Sequence, residues 1–300
     1  MDNGTVPSTT TSRLTPRHFD VLSDDGTRIR AWTNDADGPA VLLCNGLGTS
    51  PYAWPALLSA DCGVRVVSWY HRGIGGSERP VDPERVGVGA GIEDALAVMA
   101  AADVERATLL GWSIGVNHAF EIAVRWPARA DAVMAVAGVP GDTFATMLAP
   151  FRLPRPVNRR IALGMVGAFS AAGPAMTPVT RQLHRVPGLV DVVRHTGFMF
   201  PRADRADVRA TVEAFLDVDV RWYMHLARHA ARHPRVSLSQ VRQPTTFVAG
   251  RWDVLAGARD MRSASERIDG ARFVELAASH FLPLERPDEV HAELLALIGR

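Results

Sequence analysis

Short, mostly apolar runs recur along the chain, and the segments between them carry apolar residues three and four positions apart. The runs at 40–44, 65–69, 107–110, 132–137, 245–249 and 272–276 predict strands. Helical spacing predicts a short helix at 51–60 and longer ones at 91–102, 116–126 (closed by Pro127), 258–268 and 288–298. In 91–102, Ile92, Ala95, Leu96 and Met99 form one stripe that faces a sheet. Ahead of these lies an antiparallel pair, 18–22 and 27–32, around the turn Asp24-Asp25-Gly26. Strand and helix in repeated alternation predict an α/β fold with a mostly parallel sheet covered on both faces. Ligands then belong at the carboxyl ends of the strands.

The alternation stops near Pro140 and resumes at Thr245. Between them the chain is rich in Pro, Met, Phe, Arg and Ala in amphipathic patterns without a strand, which predicts a helical cap inserted at 140–243. The core is then 14–139 with 244–300, and the polar, Ser/Thr-rich residues 1–13 are expected to form a disordered tail. Met147, Phe151, Met165, Phe169, Met199 and Phe200 are expected to pack the cap on the sheet, with Met165 and Phe169 lining the pocket beneath it.

A formal net charge of +1 over 300 residues leaves no electrostatic footprint for nucleic acid or an anionic membrane. All basic residues are Arg, and the absence of Lys excludes a Schiff-base lysine and a phosphate-loop lysine. The chain start lacks a secretory pattern, and no uninterrupted apolar run spans a bilayer, so a soluble, cytoplasmic protein without integral membrane association is expected. Cys44 and Cys62 fit a reducing compartment, with Cys44 in core packing.

The chemistry concentrates at strand ends. In Gly111-Trp112-Ser113-Ile114-Gly115 the serine falls on the turn from a strand into a helix, where crowding demands glycine on either side. The following helix aims free N–H groups, that of Ile114 included, beside the hydroxyl. The loop Asn45-Gly46-Leu47-Gly48 offers the N–H of Leu47 as a second oxyanion donor. Asp253 and His280 follow the last two strands, in the order that lets His280 take a proton from Ser113 and Asp253 orient His280. Asp142 also follows a strand end and stands as the alternative acid, its other role being a helix cap or a hinge.

His225, His229 and His233 repeat every four residues, but a helix rises about 12 Å over that span, so the three cannot share one ion; no metal is expected. The Gly87-Val88-Gly89-Ala90-Gly91 cluster lacks the strand and spacing of a dinucleotide loop, and no cofactor is expected.

At these residues the chain resembles the α/β-hydrolase superfamily. The oxyanion loop, Arg72-Gly73-Ile74-Gly75-Gly76-Ser77, the serine elbow, Asp253 and His280 follow the family's order, and the resemblance runs from about Arg17 to the C-terminus. Asn45 departs from the pattern, standing where many members carry His, and Tyr70-His71 stands where Asp is common. The resemblance implies a serine hydrolase acting on a small-to-medium apolar carboxylic ester, with Asn45, Trp112, Met165 and Phe169 around the substrate. Thioesterase, lactonase, C–C hydrolase or cofactor-free lyase chemistry fits the same residues, as does a ligand sensor without catalysis. The sequence leaves the oligomeric state open.

Overall fold

The computed structural model describes residues 12–147, 154–197 and 199–300. Most of the expected tail, and Phe151, lie outside the described residues.

Eight strands form one sheet: β1 (Arg17–Leu22), β2 (Arg28–Thr33), β3 (Ala40–Cys44), β4 (Arg65–Trp69), β5 (Ala107–Trp112), β6 (Ala130–Val136), β7 (Thr245–Gly250) and β8 (Arg272–Leu276). Their order is β1-β2-β4-β3-β5-β6-β7-β8. The β1/β2 and β2/β4 pairs are antiparallel and every other pair is parallel. Successive side chains of a strand point to opposite faces. Leu42 and Leu109 accordingly enter one core, with residues of helices α1 (Val88–Ala101) and α2 (Gly115–Arg125), while Leu43 and Leu110 enter the other, with Trp54, Leu57 and Leu294. β5 is buried at all its positions, which places its carboxyl end at the centre of the sheet.

Between β6 and β7 every regular element among the described residues is helical: α3 (Thr143–Thr146), α4 (Arg155–Leu183), α5 (Leu189–His195), α6 (Arg205–Leu216) and α7 (Val220–Ala230). Asp204 and Asp219 cap α6 and α7, accepting bonds from the N–H groups of Ala206 and Trp222. Asn158, Ala162, Val166 and Gly173 form the buried stripe of α4. The chain closes with α8 (Ala258–Ser265), α9 (Leu282–Glu285) and α10 (Pro287–Ile298).

Three expectations change. Residues 51–60 form two 3-10 turns, Pro51–Ala53 and Pro55–Leu58, because Pro55 has no N–H and pushes Trp54 out of helical geometry. The Gly87–91 cluster is the start of α1: a Cβ on Gly91 would lie 2.2 Å from the His118 ring, so glycine there admits α2. Finally, α4 has 29 residues and a mean hydropathy of 1.2 in its most apolar window, long and apolar enough to cross a membrane, with only 17% of that window buried. The expectation of no such segment considered unbroken runs, whereas in α4 small residues and widely spaced polar ones still average to an apolar helix.

Candidate active site

The turn between β5 and α2 holds Ser113 at φ +56°, a left-handed conformation rare for a non-glycine residue and costing about 1–3 kcal/mol. Its N–H donates to the Val136 carbonyl at 2.9 Å and its carbonyl accepts from Val116 at 3.2 Å, so both flanks of the turn hold it. A Cβ on Gly115 would sit 1.8 Å from the Cys44 carbonyl oxygen, and one on Gly111 would sit 2.6 Å from Val116 Cα. Steric demand therefore fixes glycine two residues to either side of the serine.

Ser113, His280 and Asp253 come together from three separate loops. His280 Nε2 lies 2.9 Å from Ser113 Oγ, and His280 Nδ1 lies 2.8 Å from Asp253 Oδ2. The other carboxylate oxygen of Asp253 accepts from the N–H groups of Leu255 and Ala256 at 2.7 and 2.8 Å, which fixes the acid in a fully buried position. With a carboxylate facing Nδ1, that nitrogen carries the proton and Nε2 presents its lone pair to the serine. Asp142 is elsewhere: it precedes α3 at φ +52°, and its carboxylate faces Arg235 at 3.4 Å.

Two supports of His280 escape sequence inspection. Trp112 Nε1 donates to the His280 carbonyl at 3.1 Å. Glu285, buried in α9, accepts from the Ser279 N–H at 2.8 Å, the Ser279 hydroxyl at 2.5 Å and the Phe200 N–H at 2.9 Å, tying the histidine loop to the helical insertion. An acidic residue five positions after the histidine is the only sequence signal for this role.

Beside the serine, Leu47 and Ile114 line a cavity of about 20 Å³. The N–H groups of these two residues form no backbone hydrogen bond among the described residues. Val86, Leu226 and Ala230 contribute apolar wall, and His71 and His118 also line it. His71 Nε2 and His118 Nδ1 are enclosed without a hydrogen-bond partner among the described residues. Burial pushes His71 down to about 4 and His118 to about 3, the neighbouring His71 adding to the second, so both rings are neutral at ordinary pH. Arg72 and Asp94, also in the wall, neutralise each other through bonds of 2.7–3.2 Å.

The other expected pocket residues do not line this cavity. Trp112 is buried edge-on against Trp54. Asn45 Oδ1 accepts from the Gly46 N–H and Trp54 Nε1, at 3.0 and 3.1 Å, so it shapes the loop that follows β3. Met165 and Phe169 stand 39% and 43% exposed on α4, because that helix turns the Ala162–Val166 stripe inward instead. His233 faces Glu121 at 3.2 Å, whereas His225 and His229 meet Glu84, a loop carboxylate distant in sequence.

A sequence profile for the alpha/beta hydrolase fold matches residues 39–171. A protein from Agrobacterium fabrum named as a carbamate hydrolase, RutD, is 31% identical over 103 residues, 34% of this chain and 39% of that protein. The chain thus matches about two-fifths of the length of that relative. Epoxide hydrolase A of Mycobacterium tuberculosis is 25% identical over 93% of this chain and 96% of its own. The crystal structure of a hydrolase from Pseudomonas aeruginosa superimposes with a TM-score of 0.70 at 21% identity, covering 95% of this chain and 99% of that one.

Proposed function

We propose that this chain, which has the α/β-hydrolase fold, is a serine hydrolase cleaving a small-to-medium carboxylic ester through an acyl-enzyme on Ser113. Ser113 Oγ attacks the carbonyl carbon while His280 Nε2 takes its proton. The oxyanion accepts hydrogen bonds from the N–H groups of Leu47 and Ile114. Collapse expels the alcohol, which leaves with the proton from His280, and an ester to Ser113 remains. Water then attacks that ester, passes its proton to His280, and the acid departs as the proton returns to Ser113. Asp253 holds the imidazole in the required tautomer and stabilises the imidazolium.

The observation that carries this reading is the unbroken Asp253–His280–Ser113 chain of hydrogen bonds beside the N–H groups of Leu47 and Ile114, which form no backbone hydrogen bond among the described residues. Serine at the elbow also separates the chain from epoxide-opening chemistry, for which the superfamily resemblance implies Asp at that position. Leu226 and Ala230 of α7 line the cavity beside Leu47 and Ile114, which puts this helix against the acyl group of a bound ester.

Carbamate cleavage is a second reading, supported by the local match to the carbamate hydrolase. Labelling with a fluorophosphonate, followed by p-nitrophenyl ester and carbamate panels, tests both. Labelling abolished by Ser113→Ala, with ester turnover lost by three or more orders of magnitude, is expected. Folded protein that neither labels nor turns over either panel points to a binding protein instead. Faster turnover of carbamates than of matched esters selects the second reading.

A further inference from the structure

Glu84, His225 and His229 each present a ligand atom, and these atoms lie within 4.8 Å of one another. The two histidines are one helical turn apart on α7, their rings 4.6 Å between centroids, and the carboxylate comes from the loop that leads into α1. We propose that these three side chains form a binding site for a divalent first-row transition ion, zinc above all, that fastens α7 to the sheet-side loop.

Two imidazoles and one carboxylate, with a fourth position left to water, are a donor set suited to such an ion. The imidazoles are prepared for it. His225 Nε2 donates to the Pro83 carbonyl at 2.7 Å, the kind of outer bond that orients a metal-bound histidine, and a lone pair remains on Nδ1. His229 is buried one turn further along the same helix. Its Nε2 already stands 3.5 Å from Glu84 Oε1. Ligands of a tetrahedral zinc lie about 3.3 Å apart, given metal–ligand distances near 2.0–2.1 Å. Glu84 is two-thirds exposed, so its rotation away from Arg232, now 3.5 Å off, closes the set without disturbing the core.

The position gives the ion a consequence. Leu226 and Ala230, on the same helix as the two histidines, line the cavity beside Leu47 and Ile114, and so do Val86 and Gly87 of the loop that carries Glu84. A bound ion ties these two walls together and so sets the width of the cavity between them. This second step rests on the hydrolase reading; the ion site itself does not.

Titrating the intact, chelator-stripped protein with zinc chloride by calorimetry, and with cobalt chloride by visible absorption, tests the site. One ion per chain, with affinity in the micromolar range or tighter and the intense visible bands of tetrahedral cobalt, is expected. Glu84→Gln alters an exposed side chain and should weaken binding about tenfold or more, and His225→Ala and His229→Gln should each do the same. No stoichiometric binding by folded protein, or binding unchanged in all three variants, overturns the site. If zinc binds as expected but leaves ester turnover and KM unchanged, the clamp on the cavity is overturned and the ion site stands.

Discussion

At the scale of single residues, two acids compete for the partnership with His280, and geometry separates them. Asp253 touches Nδ1 and Asp142 faces Arg235. Asp253→Asn should lower ester kcat/KM by about four orders of magnitude through the wrong histidine tautomer, while Asp142→Asn at equal folded fraction should cost less than tenfold. Equal losses would remove Asp253 from the acid's role. Ser113 was legible in the sequence because its glycines answer a steric demand that acts within five residues. Glu285 was not, because its partners Ser279 and Phe200 meet only once the insertion has folded back on the core, and Phe200 is 85 residues away. Glu285→Gln puts an NH2 where three donors now converge on a carboxylate. It should destabilise the fold by about 1–3 kcal/mol, read as a lowered urea midpoint, and reduce kcat more than it raises KM.

Elements buried in the sheet were readable from pattern alone, since a strand enclosed on both faces is an apolar run whatever it packs against; β3 and β4 have the predicted bounds, and so does β8, which is only partly buried at the sheet edge. The helices of the insertion were readable as helices but not as to which side faces inward. In α4, Val157, Ile161, Met165 and Phe169 repeat at every fourth position and are as apolar as the buried stripe, yet all are exposed. Small Ala162 and Gly173 permit the close approach to α7, and that decides the inward face. Acyl-chain preference should therefore respond to α7 rather than to α4. In a p-nitrophenyl ester series, Leu226→Ala should shift the optimum toward longer chains by a graded amount, about 1–3 kcal/mol per methylene accommodated. Met165→Ala and Phe169→Ala should leave the profile in place. A shift in the latter two as large as in the first would return the pocket to α4.

For the molecule as a whole, stability is linked to pH through histidines shut in between sheet, helix and insertion. His118 is buried with Nδ1 unpartnered, and its pKa falls from the ordinary 6.5 to about 3, chiefly by desolvation. A lowered folded-state value means that below pH 6.5 the unfolded chain binds a proton that the folded chain refuses. The stability associated with a neutral His118 is therefore complete above about 6.5. It is lost as pH falls toward about 3, at up to about 1.4 kcal/mol per pH unit. His71, lowered to about 4 by burial, adds a parallel loss over a shorter window. Carboxylates paired with Arg, such as Asp25 and Glu293, have lowered values and begin to lose their contribution only as pH drops through the carboxylate range. The histidines therefore dominate the interval between pH 6.5 and 4.5, opposed by Asp94, whose carboxyl pKa is raised by burial. Urea denaturation across that interval should show unfolding free energy declining with acidification in the native protein. His118→Gln, which removes the titrating ring, should be less stable at pH 7.5 but show a shallower decline. A decline of equal steepness in the variant would mean that other groups carry the acid sensitivity.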